Sequence, residues 1–325
     1  MIGTRTPFRI SFIGGGSDLK EFYRKLPGCV LSTTIDKYMY IFIHPFFDSR
    51  IQVKYSKTEL VNKISEIKHP IVREILSEFN LKGIDINSIA DIPAGTGLGS
   101  SSSYTVGLLH ALYEFKNKEV SPKILAERAC NIEIEKLKEP IGKQDQFSAA
   151  YGGLNLIRFL TNGEVKIEPI VMQPDAYSRL QDNLLMFYTS TTRSSSNVLN
   201  DQKKNLINDK EKFNSQLKMT HLVEKSKKYL IDSNLEQFGE TLDENWKLKR
   251  TLSKNISNTE FDDLYNLAMK NGALGGKILG AGGGGYFLFY CPKEFQSKLR
   301  NDLKKLKEVP FRFENYGSKI INMDK

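Results

Sequence analysis

The sequence predicts an α+β fold, and three observations carry that expectation. Strand-like and helix-like segments alternate along the 325 residues without a regular βαβ repeat. Hydrophobic residues make up 40% of the chain against 26% charged, which is enough for a packed core and too apolar for a disordered chain. Glycine clusters at 14–16, 95–99 and 280–285 join these segments, with no low-complexity linker between them. The length suggests about two domains. The boundary is expected near Pro169 and Pro174, dividing the chain into 1–172 and 173–325.

Phe8, Ile10 and Phe12 alternate with Arg9 and Ser11, the period of a strand, until Gly14-Gly15-Gly16 interrupts. The β-branched and aromatic runs 30–35 and 38–43 read as two more strands. From Glu59 to Phe79 the spacing of Leu60, Ile64, Ile67, Ile71, Ile75 and Phe79 predicts a helix. Residues 84–92 alternate again, a loop rich in glycine and serine follows, and 104–115 reads as a buried helix. A helix over 123–136 leads to a short helical piece at 146–150 and a strand at 154–160. Residues 184–189 form a strand, and 194–249 are polar and mostly helical. The chain closes with the loop 280–285, a strand at 286–290, a helix to 307 and a strand near Phe311.

Several function classes are set aside. No apolar run approaches the roughly 18 residues of a spanning helix, and residues 1–11 lack the apolar centre of a signal peptide. A cytoplasmic protein without a membrane partner is expected. Cys29, Cys130 and Cys291 are odd in number and far apart, against a disulfide framework or a Cys-rich zinc site. The histidines His44, His69, His110 and His221 form no HExxH pattern. A formal charge of +9 invites a nucleic-acid partner. The lysines, however, interleave with Glu and Asp on apparent helix faces, and no basic stripe with aromatics appears.

Chemistry concentrates in the three loops. Pro93 to Ser103, with Gly95, Gly97, Leu98, Gly99, Ser100, Ser101 and Ser102, sits between a strand and a helix, the context of a phosphate-binding loop. Its glycines admit an anion close to the backbone, and the first N–H groups of the helix point at it. A serine-capped helix start is the plainer alternative. No Walker A pattern occurs, Gly276-Lys277 being the nearest miss. The loop 280–285 matches GxGxxG in form, but a strand follows it, which contradicts a dinucleotide fold. Four consecutive glycines there suit close packing against a ligand or another backbone. Gly14-Gly15-Gly16-Ser17-Asp18 could equally be a turn after an edge strand.

Together, and in this order, the loops resemble the signature of the GHMP small-molecule kinases over nearly the whole chain. The runs Thr6 to Asp18 and Ser32 to Tyr38 look most like the branch that phosphorylates the anomeric hydroxyl of D-glycero-D-manno-heptose 7-phosphate. The resemblance implies an N-terminal ribosomal-protein-S5-like domain, a C-terminal ferredoxin-like domain and an active site in the cleft between them. ATP and Mg²⁺ are implied, with a sugar phosphate as the other substrate, in a monomer or homodimer. It implies Asp145 as the carboxylate facing the transferred hydroxyl and Arg9 beside it. Ser101 and Glu133 become the Mg²⁺ ligands, with Glu135 and Glu139 as nearby competitors, and a plain helix-surface acid is the alternative for each of the three glutamates. Gly15, Gly16, Ser17 and Asp18 would meet the sugar, as would Gly282 and Gly283 beneath it. Glu-His of galactokinases is replaced by Gly15-Gly16, which argues against galactose. For a second phosphate, Thr189 to Ser196 with Arg193 offers hydroxyls and a guanidinium, ahead of Lys37 and Lys143, with a serine-capped helix start as the alternative. A fucose-type kinase and a catalytically silent sugar sensor on the same scaffold are the alternatives.

Overall fold

The strands divide between two sheets in a computed structural model that describes residues 1–191 and 195–322. In chain order the first part contains β1 (Ile2–Ile13), α1 (Lys20–Tyr23), β2 (Gly28–Pro45), β3 (Ile51–Lys54), β4 (Thr58–Val61), α2 (Pro70–Phe79) and β5 (Ile84–Ala90). Next come α3 (Ser100–Phe115), α4 (Pro122–Cys130), α5 (Gln144–Tyr151), β6 (Asn155–Phe159) and β7 (Val165–Pro169). After α6 (Pro174–Asp182) and β8 (Leu184–Tyr188) lie α7 (Ser195–Asn208), α8 (Lys210–Ile231), α9 (Leu235–Thr251) and α10 (Thr259–Lys270). The chain ends with β9 (Gly275–Ile278), β10 (Tyr286–Tyr290), α11 (Lys293–Asp302), β11 (Lys307–Glu308), β12 (Phe313–Glu314) and β13 (Lys319–Asn322).

The larger sheet runs β13-β1-β2-β5-β3-β4, with β6 and β12 also on the long strand β2 and β7 on β6. Its pairs are antiparallel except β3 with β5. The smaller sheet is ordered β11-β8-β10-β9, entirely antiparallel. With α10 between β8 and β9 and α11 between β10 and β11, this is the ferredoxin-like βαββαβ order. The helices α7, α8 and α9 are inserted in its first crossover. The last two strands return to the larger sheet, beside β2 and β1.

The helix expected over 59–79 begins only at Pro70, which fixes its own φ and forces the preceding residue out of the helical region. His69 caps it, its ring accepting from the Val72 N–H. Upstream, Thr58–Val61 is an edge strand on β3, and Leu60 is 45% exposed. The apparent helical spacing there joins a strand, a 3₁₀ turn at 64–66 and a helix. The polar stretch 194–249 breaks into three helices. Asp209 ends the first and caps the second by accepting from the Glu211 and Lys212 N–H groups. The two halves meet where Phe12 of β1 packs edge-on against Phe238 of α9 at 5.5 Å, both fully buried. Truncating either to Ala would cost about 3–5 kcal/mol.

Candidate active site

The turn from β5 into α3 is built on glycine. Gly95, Gly97 and Gly99 have φ of +75°, +85° and +77°, conformations that side chains resist. Gly99 is the N-cap of α3 and brings no side chain to it, so the helix opens on bare main-chain N–H groups at its positive end. A Cβ at Gly95 would meet nothing within 4 Å, so the crest of the loop is open.

Its other side lies against the third glycine loop. A Cβ on Gly97 would stand 2.5 Å from the Leu279 carbonyl oxygen, and one on Gly280 2.5 Å from the Gly97 Cα. Gly285 abuts the Thr96 carbonyl, Gly284 the Thr191 carbonyl and Gly282 the backbone of Ile256. Gly283 donates its N–H to the Ile256 carbonyl at 2.9 Å. Gly282 and Gly283, expected beneath a ligand, thus both adjoin Ile256 on one side. Gly280 and Gly285 are the residues that hold this loop against residues 96–97.

Arg9 and Asp145, 136 positions apart, come together beside Gly97. Arg9 Nε donates to Asp145 Oδ1 at 2.7 Å and Nη2 to Oδ2 at 2.8 Å, a two-pronged pair. Nη1 donates to the Gly97 carbonyl at 2.6 Å, tying the pair to the loop. Gln144 donates from Nε2 to Oδ1 at 3.1 Å, and its Oε1 accepts from Ser11 Oγ at 2.8 Å. Arg9 is buried, whereas the Asp145 side chain keeps 27% exposure. One carboxylate face is thus clamped and the other open.

Glu133 stands on a π-helical turn, residues 131–136, that continues α4. Such turns are uncommon and recur at functional sites. Its fully buried carboxylate accepts from Ser101 Oγ at 2.8 Å, Ser102 Oγ at 2.9 Å and Gln146 Nε2 at 2.7 Å. Burial pushes its pKa up, and these three donors oppose the rise. Asp18 accepts from the Gly16 N–H at 3.0 Å and the Gln144 N–H at 3.2 Å. Burial, with Asp145 adding, raises its pKa. Gly142 packs so closely on Asp18 that a Cβ would overlap the carboxylate.

Ser17 does not present its hydroxyl to a ligand as expected. It is fully buried and donates to the Cys29 carbonyl at 2.8 Å, which ties the turn to β2. Gln216 Nε2 bonds the Gly14 and Gly15 carbonyls at 3.4 Å, and a Cβ on Gly16 would overlap Gln202. The first glycine loop is therefore seated on α7 and α8. Beside Asp18 opens a cavity of about 220 Å³ whose lining includes Lys20, Tyr23, Glu135, Glu139, Lys143 and Lys203. Lys143 donates to the Gly163 carbonyl at 2.6 Å, and Lys37 pairs with Asp36 at 3.2 Å. Arg193 lies outside the described residues.

Two buried lysines escaped the sequence reading. Lys277 of β9 donates to the carbonyls of Ser11 and Phe12 at 2.7 and 3.0 Å, tying the smaller sheet to β1. Lys249 of α9 donates to the Gly280 carbonyl. The signal for Lys249 was its place at helical spacing after Leu235, Phe238, Leu242 and Trp246, where an apolar residue belongs.

Two family models match the chain, GHMP kinases N terminal domain over 62–153 and GHMP kinases C terminal over 226–308, together more than half of it. The chain belongs to the GHMP kinases. Over 94% of its length it is 29% identical to D-glycero-alpha-D-manno-heptose 7-phosphate kinase of Campylobacter jejuni, covering 93% of that protein. It is 24% identical, over 96% of its length, to the bifunctional fucokinase/GDP-fucose pyrophosphorylase of Arabidopsis thaliana, of which it covers 31%. Among solved structures, a D-glycero-D-manno-heptose 1-phosphate kinase from Bacteroides thetaiotaomicron shares the fold with a TM-score of 0.82 at 22% identity, each chain covered fully. A putative sugar kinase of Campylobacter jejuni aligns with a TM-score of 0.78 at 27% identity over 98% of both chains. As a GHMP kinase the protein is a phosphotransferase with the α+β fold of that family. Among the described residues no helix is long and apolar enough to cross a membrane.

Proposed function

We propose that the protein transfers the γ-phosphoryl group of ATP to the anomeric hydroxyl of a sugar phosphate. The acceptor is D-glycero-D-manno-heptose 7-phosphate, and the product is the 1,7-bisphosphate that feeds nucleotide-heptose synthesis. The observation that carries the reading is Asp145, clamped by Arg9 on one face and open on the other, at the mouth of a main-chain anion loop. The acceptor class is supported by the 29% identity to the Campylobacter kinase of that name.

Phosphoryl transfer leaves a protein mainly positioning and charge stabilisation to supply. In this reading residues 95–102 hold the β- and γ-phosphates through main-chain N–H groups and serine hydroxyls. Asp145 uses its free lone pairs to orient the anomeric hydroxyl and accept its proton. Arg9 fixes that carboxylate and adds positive charge beside the transferred group. Asp18 and the loop 14–16 border the sugar, and the cavity next to Asp18 takes its distal end. The second phosphate goes to the segment 189–196 with Arg193, with Lys143, on the lining of the cavity beside Asp18, as the other candidate.

Mg²⁺ fits the residues on hand. Among the described residues no cluster of three or more His, Cys, Asp or Glu side chains stands ready for a metal. Mg²⁺ prefers few protein oxygens and keeps waters and phosphate oxygens. Ser101 and Glu133, already 2.8 Å apart, supply one hydroxyl and one carboxylate. Bound there, the ion would add positive charge to the phosphates.

A fucose-type acceptor is the second reading, supported by the Arabidopsis relative. The two separate by ³¹P NMR of products from Mg·ATP with heptose 7-phosphate, fucose, galactose and mannose. A new anomeric phosphate on heptose 7-phosphate is expected. Turnover of an unphosphorylated sugar alone would refute the sugar-phosphate reading.

A further inference from the structure

Lys249 is 3% exposed. Its ammonium donates to the Gly280 carbonyl, in the loop that lies against Gly97, and no carboxylate pairs with it among the described residues. An unpaired buried ammonium is among the most expensive arrangements a protein keeps. Three ionisable groups face it: Arg9 and Asp18 from β1 and the turn after it, and Lys277 from β9. Each is engaged elsewhere. Arg9 is bound to Asp145, Asp18 to the N–H groups of Gly16 and Gln144, and Lys277 to the carbonyls of Ser11 and Phe12. Three cationic side chains thus lie near one another, Arg9 and Lys249 at the junction of the glycine loops and Lys277 against β1, and among the described residues only Arg9 is paired with a carboxylate.

We propose that Lys249 is a further catalytic residue, whose ammonium meets the phosphoryl group in transfer between the loop 95–99 and Asp18. The anionic substrates are the counter-charge it lacks. The claim rests on the kinase reading above but on no particular acceptor. In the step it serves, the bond from the γ-phosphorus to the bridging oxygen breaks and a bond from the acceptor oxygen to that phosphorus forms. The hydroxyl proton leaves toward Asp145, and Lys249 keeps its own protons throughout. Burial, with Arg9 adding and Asp18 opposing, holds the free ammonium at about 8. The useful charge is therefore lost as the pH rises through that value.

The test compares wild type, Lys249→Met and Lys249→Arg. Each is assayed with Mg·ATP and whichever of heptose 7-phosphate, fucose, galactose and mannose the wild type phosphorylates fastest, and each is melted thermally. Lys249→Met is expected to lower kcat by about 10²- to 10³-fold, as when a transition-state donor is removed. It should melt no lower than wild type, because it deletes an uncompensated charge. Lys249→Arg should keep more activity and lose the decline in kcat/KM above about pH 8 that the wild type shows. A Met variant with wild-type kcat overturns the proposal. So does parallel loss of activity and melting temperature with the alkaline decline intact in the Arg variant. If the Met variant does not fold, the wild-type and Arg pH profiles decide between these outcomes. A wild type that phosphorylates none of the sugars refutes the proposed acceptor instead. Lys249 is then judged on slow hydrolysis of ATP, with the same order of variants expected.

Discussion

Replacing Gly280 with Ala tests whether the two glycine loops touch backbone to backbone. Gly280 has φ of +72°, and a Cβ there would lie 2.5 Å from the Gly97 Cα and 2.9 Å from its carbonyl oxygen. The left-handed conformation alone costs a non-glycine residue about 1–2 kcal/mol. Overlap with main chain that cannot rotate away adds about 1–3 kcal/mol, the range for overpacking. Gly95→Ala is the control, since its φ is +75° and nothing lies within 4 Å of its Cβ position. Urea unfolding at pH 7 should therefore destabilise Gly280→Ala by about 1–3 kcal/mol more than Gly95→Ala. Gly280→Ala should also raise the KM for ATP, because it displaces the loop 95–99. Equal destabilisation by the two variants would refute the contact.

Asp145→Asn should lower kcat by about 10²- to 10⁴-fold while AMP-PNP binding, by calorimetry, stays within a few-fold; an active variant would remove Asp145 from its role. Glu133→Gln puts an amide NH₂ among the donors of Ser101, Ser102 and Gln146, so it should cost about 1–3 kcal/mol of stability. It should also raise the Mg²⁺ concentration for half-maximal turnover, and an unchanged Mg²⁺ titration contradicts the metal role. His110 is held down to about 4 by burial, against an ordinary value of 6.5. The unfolded chain takes up that proton first as pH falls, so stability should drop by roughly 2–3 kcal/mol between about pH 6.5 and 4. His110→Gln should flatten that part of a urea-unfolding series, and an unaltered slope would show that other groups govern it.

The strands and the three loops were legible because their signals are local. Alternation at Phe8, Ile10 and Phe12 and glycine at positions of positive φ both follow from backbone geometry at the residues themselves. The helix start at Pro70 was hidden because Leu60, Ile64 and Ile67 mimic helical spacing while belonging to a strand, a 3₁₀ turn and a linker. The pairing of Arg9 with Asp145 was reached through family resemblance, since no local pattern joins residues 136 positions apart. Ser17 was misread because a hydroxyl beside a glycine turn serves the turn as readily as a ligand, and only its bond to Cys29 decides. The third glycine loop left two readings, ligand or backbone, and the approach of Gly97 shows backbone packing at Gly280, which no local pattern could reveal. Lys249 was overlooked because most lysines on the helices of this basic chain stand among Glu and Asp, as solvated faces do. Its place in the apolar stripe of α9 was the available clue.

A crystal structure with AMP-PNP, Mg²⁺ and heptose 7-phosphate tests the central claim most directly. The account predicts the γ-phosphate against the main-chain N–H groups of residues 98–102, with the anomeric oxygen within hydrogen-bond reach of Asp145. A triphosphate lodged away from that loop, or an acceptor oxygen remote from Asp145, would contradict it.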